Sequence, residues 1–164
     1  MKKLSATYIG LIIAALMILA SIILFYGFGR APKDPAHLIV MGIYVVGICW
    51  SLLSLNPVEG EPLKFKQYFS QGFKTFIIVT LLMVIFTAIF YKLNPQIIDA
   101  FISENEALVA QGRDKTPAEI KANSDSLRSI FMPMTISLTT VVYLGLGALT
   151  SLVCGMILSN RQKK

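Results

Sequence analysis

Asp, Glu, Lys and Arg are absent from four long stretches of this chain, residues 4–29, 35–58, 75–91 and 129–160, which are filled instead with Ile, Leu, Val, Phe and Met. Each run is close to or beyond the ~20 residues (range ~17–25) that a helix needs to cross ~30 Å of hydrocarbon. The chain is therefore read as an all-α membrane protein with four transmembrane helices, over approximately 7–28, 37–55, 74–91 and 133–158. The same purity removes from the spans the ionisable groups that ordinarily announce transport or catalysis.

The 164 residues make one domain's worth, and a hydrophobic content of 55% with mean hydropathy +0.67 lies well above the apolar share of a soluble domain. Residues 1–164 are read as a single four-span domain with an extramembrane helical insertion over 93–129. The net charge of +6 is scattered over every connection. It forms no long basic tract or basic helical face, so nucleic acid is not an expected partner and anionic membrane lipid is. Cys49 and Cys154, the chain's two cysteines, both fall inside apolar spans, where they read as small buried apolar residues rather than zinc ligands or a disulfide framework.

Met1-Lys2-Lys3 followed by apolar residues resembles the start of a secretory signal. A signal's apolar core is about 7 to 15 residues long, whereas the run here reaches from Tyr8 to Phe28, and the best small-x-small site, Gly29-Arg30-Ala31, lies beyond it. The segment is read as an uncleaved span, with Tyr8, Phe25, Tyr26 and Phe28 at its interfacial ends.

Arg30-Ala31-Pro32-Lys33-Asp34-Pro35 is a tight polar break, so spans one and two are antiparallel neighbours. A second break runs from Asn56-Pro57 through Gly60 and Pro62. In the segment that follows, Phe65, Tyr68, Phe69 and Phe73 recur at helical spacing, with Lys64, Lys66, Gln67, Ser70, Gln71 and Lys74 largely off that face. This is the pattern of a short helix lying in the headgroup plane, and an early first turn of span three is the plainer alternative.

Lys and Arg counted on alternate sides set the orientation. Lys2, Lys3, Lys64, Lys66, Lys74, Arg161, Lys163 and Lys164 fall on one side in three short segments. Arg30, Lys33, Lys92, Arg113, Lys115, Lys121 and Arg128 fall on the other, mostly in a long connection that also holds six acids. Both termini are expected in the cytoplasm.

The long connection carries its own helix signals. Asn94-Pro95 reads as an N-cap with a first-turn proline, Ile98, Phe101, Ile102, Leu108 and Val109 make an apolar stripe, and Gly112 stops the helix. Thr116-Pro117-Ala118-Glu119 reads as a capping box that opens a second helix, with a thin apolar face of Ile120, Leu127 and Ile130. The segment then runs towards span four, which Pro133 kinks or starts. A helical hairpin between spans three and four is expected, with Phe101, Ile102, Leu108 and Val109 as candidate contacts for a partner or the membrane surface. Phe65, Tyr68, Phe69 and Phe73 are the corresponding candidates before span three.

The amino-terminal span opening Met1-Lys2-Lys3, the segment Pro62-Leu63-Lys64-Phe65 to Gly72-Phe73, and Tyr91-Lys92-Leu93-Asn94-Pro95 resemble the bacterial membrane family known as domain of unknown function 4199. The likeness covers nearly the whole chain. It implies a four-span protein of the bacterial inner membrane, and it brings no catalytic residue with it.

The residues themselves point to no chemistry. No HExxH, Walker loop, GxSxG or CxxC occurs. The one histidine, His37, stands at the edge of span two, where a solvated interfacial role is the ordinary reading and a pH switch the sharper one. Metal ligands are not clustered, so no cofactor or metal is expected. Span four holds Thr135, Ser137, Thr139, Thr140, Tyr143, Thr150 and Ser151 with no base beside them, and in a bilayer such hydroxyls usually bond to their own helix or a neighbour. No catalytic residue is assigned.

Gly147, Ser151 and Gly155 recur at i, i+4 and i+8, as do Ala6, Gly10 and Ala14 in span one. Small-xxx-small ridges of this kind let helix backbones approach closely, within one bundle or between two copies. A non-enzymatic scaffold, accessory or partner-binding module is the leading expectation. The alternative is a subunit of a small transporter or channel, for which Pro133, Gly145, Gly147 and Gly155 would interrupt a site-lining helix. A homo-oligomer or a membrane-protein partner fits either reading.

Overall fold

The computed structural model describes residues 5–32, 34–55, 63–111 and 116–161. The expected breaks and tails at Lys2, Lys3, Lys33, Asn56-Pro57, Gly60, Pro62, Gly112, Arg113, Lys115, Lys163 and Lys164 lie outside the described residues. Within them the chain is helical, with no strand.

Helix α1 (Ala6–Ile22) starts where the Ser5 side chain accepts a hydrogen bond from the Tyr8 amide at 3.4 Å, and it passes into a π-helical turn over Ile23–Gly27. The turn closes with the Arg30 amide donating to the Leu24 carbonyl at 2.9 Å. Between them Gly29 takes φ +63°, the left-handed conformation that a residue without Cβ adopts freely. A 3-10 turn, Pro35–His37, leads into α2 (Leu38–Leu53). Asp34 caps it: Oδ1 accepts from the Ala36 amide at 2.8 Å, and Oδ2 meets Arg30 at 3.2 Å. The Ala36 amide, with a smaller contribution from Arg30, holds the Asp34 carboxyl below its ordinary value.

Helix α3 spans Phe65–Leu93, α4 Pro95–Ala110 and α5 Pro117–Arg161. Two expectations change here. The aromatic, Lys-bearing segment before span three is no separate element, because α3 runs through it unbroken. Gly72, the one residue there that weakens a helix, is packed rather than hinged, as described below. The second arm of the expected hairpin, read as running towards span four, is continuous with it, so of the two alternatives at Pro133 a new helix start is excluded. Pro133 lies inside α5, since a proline removes one backbone bond without obliging a helix to stop. At ~1.5 Å per residue, α3 is about 44 Å long and α5 about 68 Å, both well beyond the hydrocarbon thickness.

Four helical segments are long and apolar enough to cross a membrane: Ala6–Gly27, Pro35–Leu53, Phe65–Leu93 and Pro117–Arg161. Their outward faces are as apolar as their inward ones. In α1, Ile9, Ile13 and Met17 are buried while Leu11, Leu16 and Leu19 are exposed; in α2, Tyr44, Ile48 and Leu52 are buried while Val46 and Leu53 are exposed. A helix hydrophobic all round needs either a large protein or a bilayer around it, and a chain of this size supplies only the first few contacts. The protein is a membrane protein.

The helices fall into two compact units, Met1–Met83 with Val141–Lys164, and Val84–Thr140. The first unit holds α1, α2, the first part of α3 and the last part of α5. The second holds the end of α3, all of α4 and the beginning of α5.

Candidate functional site

A group of the spans' polar side chains gathers in the core of the first unit. On α3, Gln71, Thr75 and Thr80 lie on the buried side, and α2 adds Tyr44 and Ser51, both fully buried. The Ser51 and Thr75 hydroxyls share a hydrogen bond at 2.7 Å, Gln71 donates to Ser51 Oγ at 3.4 Å, and Thr75 Oγ1 bonds the Gln71 carbonyl at 3.0 Å. The Tyr44 hydroxyl donates to the main-chain carbonyl of Tyr143 on α5 at 2.8 Å, and the two rings meet edge to face at 5.2 Å. Thr80 Oγ1 and Ser151 Oγ are buried without a hydrogen-bond partner, although Thr80 stands beside the Tyr44 hydroxyl. The site consists of hydroxyls and one amide. It holds bonds between helices and offers neither a base nor a nucleophile raised above the ordinary.

The small-residue ridge on α5 faces this core. A methyl group placed on Gly147 would stand 2.6 Å from Phe76 Cβ and against the Tyr44 hydroxyl. Across the interface, a Cβ on Gly72 would meet Ser151 Cβ at 2.8 Å and the Ser151 hydroxyl. Gly155 lies against the Phe65 ring and Tyr68 Cβ, with 3.4 Å from its would-be Cβ to each. Thus Gly147, Ser151 and Gly155 all meet α3, and Gly147 meets α2 as well, within one chain. In α1, Ala6, Gly10 and Ala14 are buried too, and Gly10 faces Ile78 and the Thr75 carbonyl oxygen of α3 at 3.2 Å from its would-be Cβ.

The aromatic candidates before span three divide. Tyr68 is buried, at 3% exposure, which removes it from the outer contact surface expected of it. Phe65, Phe69 and Phe73 run along α3 as successive ring neighbours at 5.9 and 6.3 Å, and Phe73 is exposed.

In the second unit α4 lies against the first turns of α5. Asp99 pairs with Arg128 at 2.7 Å, Asn123 donates to Asn105 at 3.2 Å, and Phe131 takes the Phe101 and Tyr91 rings at 5.5 and 5.3 Å. Ile102 is buried inside this unit, so it too leaves the list of outer contacts, and Phe101 is partly spent on Phe131. Leu108 is exposed and Val109 half-buried. Asn94 stands at the N-cap with Pro95 in the first turn, but its side chain bonds the Phe90 carbonyl at 2.8 Å and Gln96 at 3.1 Å instead of capping α4. The Thr116–Glu119 box is present: the Thr116 amide donates to Glu119 at 2.8 Å, and the Glu119 amide to Thr116 Oγ1 at 3.4 Å. His37 is half-buried, with Nε2 enclosed and unpartnered.

Two features had no local signal in the sequence. The Tyr44–Tyr143 bond depends on which helices meet. So does the contact between Cys49 and Cys154, whose sulfurs lie 2.6 Å apart on α2 and α5. The Gln71–Thr75 pair, at i and i+4 on a span's buried side, was the one part of the hydroxyl cluster that spacing alone displays.

The family described as "Protein of unknown function (DUF4199)" matches residues 6–160, all four spans and the insertion between the last two. The chain belongs to the DUF4199 family. The resemblance carried by its first span, the Phe-rich start of α3 and the Asn94-Pro95 junction is thereby met over nearly the full length. No curated protein and no solved structure matches the chain. For this DUF4199 protein, therefore, function rests on the chemistry of its own residues.

Proposed function

We infer that this DUF4199 protein is a non-enzymatic integral membrane module of the bacterial inner membrane, which presents its α4 region outside the bilayer to a protein partner. One observation carries the reading: the apolar stripe of α4 keeps Leu108 exposed at 62% and Phe101, two turns before it, at 38%, although α5 already meets α4 at Asp99, Phe101 and Asn105. A pair of exposed apolar side chains on one face of a helix outside the bilayer supports a contact for a partner. The bundle supplies further support, since its polar core consists of hydroxyls bonded to helices and, among the described residues, no group of three or more His, Cys, Asp or Glu side chains stands together.

In this reading both termini are cytoplasmic, the N-terminal turns of α3 lie at the cytoplasmic headgroups with Lys64, Lys66 and Lys74, and α4 with the start of α5 forms the outer hairpin. The alternative, a transporter or channel subunit, needs an interrupted helix around a solute site. It is supported by Pro133 and by the open space at Gly145, and it loses support from the continuity of α5 and the tight seating of Gly147 and Gly155.

Photo-cross-linking from position 108 in native membranes tests the proposal. A discrete heterologous protein adduct is expected. Adducts to lipid or to a second copy alone, together with solute flux in reconstituted vesicles, would favour the transport subunit.

A further inference from the structure

The chain has two cysteines, and they are 105 positions apart, on different helices. Their sulfurs nevertheless meet at 2.6 Å, Cys49 near the end of α2 and Cys154 near the end of α5. Both are free thiols on half-buried residues, so neither is sealed inside the protein. A metal ion is a poor occupant, because soft cations take additional His or Cys ligands and none is clustered here among the described residues.

We propose that Cys49 and Cys154 form an intramembrane oxidation site, at which a membrane-dissolved quinone converts the dithiol to a disulfide joining α2 to α5. In the step two S–H bonds break and one S–S bond forms. The two electrons and two protons pass to the quinone, which leaves as the quinol. A bond of about 2.05 Å needs only a small approach of the sulfurs from their present separation. The class of oxidant follows from position: both thiols lie inside charge-free runs, where polar disulfides partition poorly and quinones dissolve. The bridge would tie α5 to α2 on the same stretch of α5 that carries Ser151 and Gly155.

The test uses the full-length protein in native membrane vesicles, exposed to a ring-substituted, short-chain ubiquinone analogue, which has no free ring carbon for thiol addition. After acid quenching and denaturation, free thiols are counted by a maleimide mass tag. Two tags are expected in vesicles first reduced with dithiothreitol and washed, none after quinone treatment, and two again after renewed reduction, with the protein monomeric on a non-reducing gel. Intact mass should show the loss of two hydrogen atoms. Cys49→Ser and Cys154→Ser should each keep their one tag in the presence of the quinone. Retention of both tags by the wild type overturns the proposal, as does a disulfide-linked dimer or loss of the tag from either single variant. The wild-type count and mass decide the matter even where a variant fails to fold.

Discussion

The Tyr44 hydroxyl reaches the backbone carbonyl of Tyr143 at 2.8 Å because residue 147, one helical turn further along α5, has no side chain to stand in its way. The glycine and the tyrosine form one device. The first lets two helix backbones approach, and the second uses the approach to make a hydrogen bond where no water competes for the donor.

Gly147→Leu should therefore destabilise the bundle by about 2 kcal/mol or more, the ordinary cost of overpacking a filled interface, with loss of the Tyr44 bond added. Gly145→Leu, two residues away on the same helix, is the control, for nothing lies within 4 Å of its would-be Cβ. Its cost should stay within about 0.5 kcal/mol. Unfolding in mixed micelles compares the two directly. Equal stability of the variants would separate Gly147 from helix packing, and a change of oligomeric state without loss of monomer stability would move the ridge to a contact between copies.

Ser51 and Thr75 offer a cleaner measure of what a hydroxyl pair contributes inside this bundle. A double-mutant cycle with Ser51→Ala and Thr75→Val should return a coupling of about 0.6 kcal/mol, with about 1.7 as the upper bound for such bonds in membrane helices. A coupling near zero would mean that Thr75 is satisfied by the Gln71 carbonyl alone, to which it already bonds at 3.0 Å.

Rings rather than charges should hold α4 to α5. The Asp99–Arg128 pair is more than half exposed on both sides, and such pairs contribute about 0–1 kcal/mol, so Asp99→Asn should leave α4 nearly as protected from protease as before. Phe131→Ala removes the ring that Phe101 and Tyr91 both touch, and a buried Phe lost in this way costs about 3 kcal/mol or more. Limited proteolysis within α4 should accelerate strongly in that variant alone.

Only strong acid should reach the Asp34 cap before α2. The Asp34 carboxyl titrates below its ordinary 3.8 because its charged form accepts the Ala36 amide and faces Arg30. A lowered folded-state pKa means that the cap's contribution is fully present above the unfolded value and is lost as pH falls through the folded one. The Asp34 contribution to the turn at Pro35–His37 should accordingly be constant from neutrality down to about 4 and be lost only in stronger acid. A carboxylate-resolved NMR titration with a midpoint above 3.8 would contradict this.

How far the residues announced the fold depends on what kind of signal each boundary left. The first two spans end where charge and proline interrupt an apolar run. Their expected limits, 7–28 and 37–55, lie within a turn of Ala6–Gly27 and Pro35–Leu53. Polarity misled at α3 and α5, because a change from apolar to mixed residues marks a change of surroundings and leaves the backbone free to continue. Thus Phe65–Lys74, read as an interfacial helix with an early turn of span three as the alternative, and Pro117–Ile130, read as a second hairpin arm running towards span four, are the first turns of longer helices. Small-residue spacing disclosed the ridge at Gly147, Ser151 and Gly155 but not its neighbours. Tyr68 and Ile102 read as outer contacts because periodicity gives a face without saying which way it turns. Cys49 and Cys154 left no trace at all, since their meeting depends on the tertiary fold alone.

The unequal lengths of the spans carry a consequence for the bilayer itself. Pro35–Leu53 extends about 28 Å, whereas the charge-free part of α5, residues 129–160, extends about 48 Å. Of these two, the shorter helix limits the thickest hydrocarbon layer that fits without strain, and α5 holds apolar turns in reserve. Near its beginning Phe131 is sheathed by Phe101 and Tyr91, while Ile130 and Met134 stay exposed. A thicker membrane can draw on that reserve, and the mismatch cost of fractions of a kcal/mol per Å falls instead on α2 and on the charge-free part of α3, residues 75–91, about 26 Å long.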